Sequence, residues 1–81
     1  MKVTVQLFAR ARDLVGMGHV ELDVPAEARV ADLKQSLAAR FPQVSPLISS
    51  LLVAVGTEYA HDRTIIEPNA ELSCFPPVSG G

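Results

Sequence analysis

Tryptophan is missing from the 81 residues, and cysteine and tyrosine occur once each. A lone thiol at Cys74 closes no internal disulfide and supplies no zinc cluster by itself, so the fold has to rest on its apolar core. Basic residues are also scarce: 7 Lys+Arg stand against 9 Asp+Glu, a formal net charge of −2. That balance offers no electrostatic footprint for nucleic acid or for an anionic membrane. Long hydrophobic runs are absent; the longest, Leu51 to Val55, falls far short of the ~20 residues that span a bilayer. Met1-Lys2 leads straight into a strand-like pattern, so neither a signal peptide nor a transmembrane segment is predicted. The length allows one domain and no separate cofactor domain. A cytoplasmic protein with no nucleic-acid and no membrane partner is expected.

With 48% apolar residues the chain can build a core, and their spacing says where. Val3, Val5 and Leu7 alternate with Lys2, Thr4, Gln6 and Phe8, the pattern of a half-buried strand. Ala9 to Val15 is helix-friendly and ends at Gly16, while His19 to Val24 alternates again and stops at Pro25. Between Pro25 and Pro42, Val30, Leu33, Leu37 and Phe41 share one helical face, with Asp32 and Arg40 placed to suit the helix dipole. Ser45-Pro46 reads as an N-cap followed by proline, opening one more short turn. Leu52 to Val55, Glu58 to Ala60 and Leu72 to Phe75 read as short strands, with turns at Gly56-Thr57 and Glu67 to Ala70. This order implies an α+β fold, with one main helix packed on one face of a mixed sheet. The other face meets water or a partner. Alternation sends Leu72 and Cys74 to the core, and puts Phe75 with Phe8 on the uncovered face if the first and last strands are neighbours.

The ending Phe75-Pro76-Pro77-Val78-Ser79-Gly80-Gly81 divides the chain into a domain over 1–75 and a flexible Gly-Gly tail over 76–81. Consecutive prolines favour an extended stem, and the two glycines carry no Cβ. A terminus of this kind can be threaded through a narrow channel, so that the reacting atom is main chain, the Gly81 carboxylate. An unactivated carboxylate is a poor acyl donor; conversion to an acyl-adenylate supplies a good leaving group.

Three stretches resemble the small subunit of molybdopterin synthase, one of the ubiquitin-like sulfur-carrier proteins: Leu7-Phe8-Ala9-Arg10-Ala11-Arg12-Asp13-Leu14-Val15-Gly16, the helix-centred Val30 to Pro42, and the Phe75-Pro76-Pro77-Val78-Ser79-Gly80-Gly81 ending. Two loops depart from the family's usual pattern, Gly56-Thr57-Glu58 and Asn69-Ala70. The resemblance implies a β-grasp fold with strand order 2-1-5-3-4 and parallel first and last strands. It also implies that Gly81 is adenylated by a partner similar to a ubiquitin-activating enzyme, which uses ATP, and is then converted to a thiocarboxylate. No cofactor would be bound by the chain itself. Sulfur would pass to cyclic pyranopterin monophosphate in the active site of the large synthase subunit, building molybdopterin for the molybdenum cofactor. Ser79 and Gly80 would thread the tail, while Phe8, Phe75, Pro76, Pro77 and Val78 would meet the partner. A carrier for thiazole or thionucleoside synthesis, a protein modifier and a plain binding module are the alternatives.

An independent enzyme is the weakest reading, since no nucleophile–base pair, paired-carboxylate site or glycine-rich phosphate loop appears; catalytic side chains are expected on the large subunit. Cys74 reads as a small core hydrophobe rather than a sulfur relay. His19 and His61 stand apart from any ligand cluster, so no metal site is expected. Arg10, Arg12 and Asp13 read either as an exposed helical turn or as a contact patch beside the tail. Residues 41–81 carry one Arg against Glu58, Asp62, Glu67 and Glu71, a surplus of acid that suits a basic partner surface or simple solubility.

Overall fold

A computed structural model describes residues 1–77. The chain runs β1 (Lys2–Leu7), α1 (Ala9–Val15), β2 (His19–Asp23), α2 (Val30–Arg40), a 3-10 turn (Pro42–Val44), α3 (Ser45–Ile48), β3 (Leu52–Val55), β4 (Glu58–Ala60) and β5 (Leu72–Phe75). Five strands form one sheet in the order β2-β1-β5-β3-β4. β1 and β5 are parallel; the other pairs are antiparallel. Both the α+β class and the strand order expected from the resemblance are therefore borne out.

The alternation in β1 becomes a strict inside–outside pattern: Val3, Val5 and Leu7 are buried, and Lys2, Thr4 and Gln6 are exposed. Val20 and Leu22 do the same for β2, and Leu72 and Cys74 for β5. These residues face Val30, Leu33 and Leu37 of α2, which are fully buried. Each such aliphatic side chain contributes roughly 1.5–3 kcal/mol when removed from water. Phe41 lies at the C-cap of α2 and is only partly buried, so the helical stripe narrows at its end.

The start of α2 is held from outside the helix. Asp32 accepts a hydrogen bond from the Arg29 backbone N–H at 2.8 Å. The amides of Val30 and Ala31 donate to the carbonyls of Thr64 and Asp62, each at 3.0 Å, which satisfies two donors that a helix N-terminus otherwise leaves open. Lys34 adds an ion pair to Asp62 at 2.9 Å. The irregular 61–66 segment is thus tied along the first turns of α2, a long-range arrangement that periodicity does not report.

One local expectation changes and another is met. Ser45 is not a cap: with φ −49° and ψ −41° it is already helical, because the 3-10 turn Pro42–Val44 runs straight into α3. The turn expected at Gly56-Thr57 joins β3 to β4, with a positive φ at Gly56 only, +62°, the φ pattern of a type II′ hairpin turn, which takes glycine at its first central position.

Leu37→Ala is expected to cost about 2–5 kcal/mol, because the site is fully buried and encased by the sheet. Urea unfolding followed by circular dichroism would read this as a lower midpoint, and a midpoint equal to the parent's would contradict the assigned core.

Candidate functional site: an aromatic cup on the open sheet face

Register determines what the uncovered face carries. His19, Gln6, Ser73, Ala54 and Tyr59 are paired in turn across all five strands, so they form one row. The residues flanking this row, such as Leu7, Cys74 and Val53, point to the core, and the next outward row begins with the pair Leu52 and Phe75. Phe8 joins this second row because the parallel pairing Leu7↔Cys74 is extended by a hydrogen bond from the Phe8 N–H to the Cys74 carbonyl at 3.1 Å.

The result is a cup with a small floor and large walls. Ala54 and Ser73 form the floor; Phe8, Phe75 and Tyr59 rise around it, with Gly56 and Thr57 at the rim and a volume of about 300 Å³. Phe75 stands in the middle, its ring centroid 5.4 Å from that of Phe8 and 5.9 Å from that of Tyr59, the latter edge-on. Such spacings are those of favourable aromatic pairs. Among the described residues no charged side chain lines the cup. Its polar surroundings come from the other half of the face, where β1 and β2 present Lys2, Thr4, Gln6, His19, Glu21 and Asp23.

Phe8 is kept there by an abrupt change of direction. Its backbone is extended, and the next residue, Ala9, opens α1 with φ +52°. A left-handed alanine costs roughly 1–2 kcal/mol, which the surrounding packing offsets. Strand and helix therefore meet without a loop, and the Phe8 ring remains 40% exposed on the open face.

Phe8 and Phe75 come together as expected, and Pro76 and Pro77 follow directly from β5. Val78, Ser79, Gly80 and Gly81 lie outside the described residues. Phe75 differs from a free-standing anchor: it is half-buried between its aromatic neighbours. The most exposed member is Tyr59, at 74%, which the sequence reading did not single out. Its signal was present in the alternation of β4, but three residues are too few to fix a face. Leu52, 39% exposed, was missed for another reason, since a continuous apolar run hides which of its members point outward.

Cys74 sits on the opposite side of the sheet, fully buried. Burial pushes its thiol up to about 12, against a smaller opposing effect of the Lys34 charge. His19 and His61 are exposed, and the described residues contain no cluster of three or more His, Cys, Asp or Glu side chains able to hold a metal. No helix among them is long and apolar enough to cross a membrane.

A single long helix on a mixed five-stranded sheet, with a central parallel pair formed by the first and last strands, defines a β-grasp protein of the ubiquitin-like class. Within that class the chain belongs to the ThiS family, whose model matches residues 5–81. It is 33% identical over its whole length to the molybdopterin synthase sulfur carrier subunit of Arabidopsis thaliana, covering 84% of that protein. Among solved structures it is similar to SAMP1 from Haloferax volcanii, with a TM-score of 0.86 and 28% identity over all of both chains. A putative molybdopterin converting factor, subunit 1, from Pyrococcus furiosus gives a TM-score of 0.83 at 28% identity, over 95% of this chain and 98% of that one. The resemblance drawn from three stretches of sequence thus extends along the full chain.

A thiol held this high should be silent to alkylating reagents at pH 8 in the folded protein and reactive after denaturation. Its folded value lies above its ordinary value of 9.0, so its contribution to stability is complete below pH 9 and is lost as pH rises toward 12. Cys74→Ala should cost about 1 kcal/mol near neutrality and flatten part of that alkaline decline, as measured by unfolding at a series of pH values. An equally steep decline in the variant would remove the thiol as its source.

Proposed function

We propose that this chain is the sulfur carrier subunit of a molybdopterin synthase, with the sulfur held as a thiocarboxylate on Gly81. The observation that carries the reading is the full-length similarity to sulfur carrier subunits of that enzyme, in a chain whose sequence ends in Gly80-Gly81. In this reading residues 1–75 are the docking domain and 76–81 the tail that enters a partner's active site.

The chemistry divides between chain and partners. An adenylating partner joins the Gly81 carboxylate to the α-phosphate of ATP and releases pyrophosphate. Hydrosulfide-level sulfur then displaces AMP and leaves the thiocarboxylate, which donates its sulfur to cyclic pyranopterin monophosphate in the large subunit while water takes the acyl carbon and restores the Gly81 carboxylate. The carrier's own residues orient and deliver. Phe8, Phe75 and Tyr59 present apolar area that loses little entropy on burial, since rings have few rotatable bonds, and Pro76 and Pro77 keep the stem extended beyond that anchor. Val78 extends the contact surface, and Ser79 and Gly80 are slim enough to thread a channel. Cys74 takes no part, because a buried neutral thiol is neither accessible nor nucleophilic.

A second reading, a ubiquitin-like protein modifier, is favoured by the likeness to SAMP1, which a structure of the Haloferax volcanii protein describes as small archaeal modifier protein 1. The activated Gly81 carbonyl would then be captured by a lysine amine. Intact mass after co-expression with an adenylating partner separates the two: one added sulfur supports the carrier, an attached protein the modifier.

Tyr59→Ala and Phe75→Ala should each weaken large-subunit binding tenfold or more in a titration. Tyr59→Ala should leave the fold untouched, because that ring is mostly exposed, whereas Phe75→Ala should also cost some stability through its two ring contacts. Unchanged affinity in both variants would remove the cup from the interface.

Adding one residue after Gly81 should abolish sulfur transfer without unfolding the domain. Each extended residue spans ~3.3–3.6 Å, whereas productive attack needs reacting atoms about 3–3.5 Å apart. A single-turnover assay with adenylating partner, sulfur donor, large subunit and pterin precursor reads the loss, with mass confirming that the extension is intact. Product formed at the parent rate would exclude Gly81 as the sulfur-bearing residue. Cys74→Ala should transfer sulfur normally in the same assay.

A further inference from the structure

β2 is an outer strand of the sheet, at the side away from β4 and the aromatic cup. Reciprocal hydrogen bonds link Met1 with Val24, and the Leu7 N–H donates to the Gly18 carbonyl at 2.8 Å. Antiparallel pairs alternate, so this phase turns the backbone groups of Val20 and Leu22 toward β1 and those of His19, Glu21 and Asp23 outward. The three outward residues make no backbone hydrogen bond to another described strand, and their side chains are exposed on the open face. Glu21 and Asp23 have no ion-pair partner among the described residues. Alongside the strand lies a groove of about 370 Å³ between β2 and α2, lined by Glu21, Leu22 and Asp23 of β2 and by Ser36, Ala39 and Arg40 of α2.

We propose that the β2 edge is a second docking surface, which accepts an extended basic–apolar–basic segment of a partner protein as a sixth strand. The geometry prescribes that pattern. A strand hydrogen-bonded to Glu21 and Asp23 places the residue opposite each of them on the same face, with Cα atoms about 5.5 Å apart, so those two residues are Lys or Arg. The residue between them points to the other face and enters the groove beside Leu22, Ser36 and Ala39, where it is a short aliphatic. A second copy of this chain is a poor occupant. Symmetric pairing centred on β2 sets Glu21 against Glu21, a like-charge contact of the kind that keeps exposed edges from self-associating. The edge thus refuses itself while remaining open to a basic strand, and since the cup lies across the sheet, both surfaces can be occupied at once.

The test is an amide-resolved NMR titration of the full chain with the acetylated and amidated peptide Thr-Lys-Val-Lys-Thr at low salt. Expected are shifts and slowed hydrogen exchange at His19, Glu21 and Asp23, with smaller shifts at Ser36 to Arg40 and none at Phe8, Tyr59 or Phe75. The double variant Glu21→Lys, Asp23→Lys should lose at least tenfold in affinity for this peptide and gain affinity for Thr-Glu-Val-Glu-Thr. Circular dichroism checks its fold, and single substitutions stand in if it unfolds. Absence of shifts up to millimolar peptide, shifts centred on the aromatic cup, or binding indifferent to the charge reversal would each overturn the proposal. So would concentration-dependent dimerisation through β2 in sedimentation, which would make the second copy the occupant.

Discussion

Parallel pairing of β1 with β5 is the constraint from which the remaining geometry follows. It joins the two ends of the described chain at the centre of the sheet, with Val5, Gln6 and Leu7 aligned to Leu72, Ser73 and Cys74. Leu7 and Cys74 are thereby driven into the core beneath α2, and the hydrogen bond from Phe8 to the Cys74 carbonyl sets the two phenylalanine rings side by side on the opposite face. A one-residue slip would exchange these faces, exposing the thiol and burying the rings. Core and candidate site are therefore two sides of one register.

The open face is divided in chemistry as well as in position. Small residues at Ala54 and Ser73 sink the centre of its apolar half, and three rings wall it. Toward β2 the same face becomes polar and acidic. An apolar centre with polar surroundings is the usual anatomy of a specific protein contact. Its distance from the charged edge keeps two unlike surfaces apart, one an apolar cup and the other a strand edge with acidic side chains.

Much of this was legible in the sequence where a period is long enough to count. Val3, Val5 and Leu7 gave the inner face of β1, Leu33 and Leu37 the inner stripe of α2, and the parity of β5 separated Cys74 from Phe75. The strand order came from family resemblance, since no local pattern reports which strands are neighbours. What escaped notice is what three-dimensional contact decides. Tyr59 sits in a strand too short to show parity, Leu52 in an apolar run without alternation, and Ser45 in a turn that continues as helix instead of beginning one. The carbonyls of Asp62 and Thr64 that cap α2 lie some thirty residues from the amides they serve, beyond any capping motif.

Placing the last strand in the middle of the sheet has a consequence for how the molecule comes into being. Without β5 the chain holds two hairpin-like pieces, β1 with β2 and β3 with β4, that share no edge. Hairpins of two strands are marginal in water, so a nascent chain stopped short of residue 72 has no stable partial sheet to rest in. The decisive contacts join residues at opposite ends of the sequence, which puts the entropic cost of closure before most of the reward. Folding is thus deferred until synthesis has passed the final strand, and the bulk of the domain cannot become a lasting folded shell that lacks the strand leading into residues 76–81.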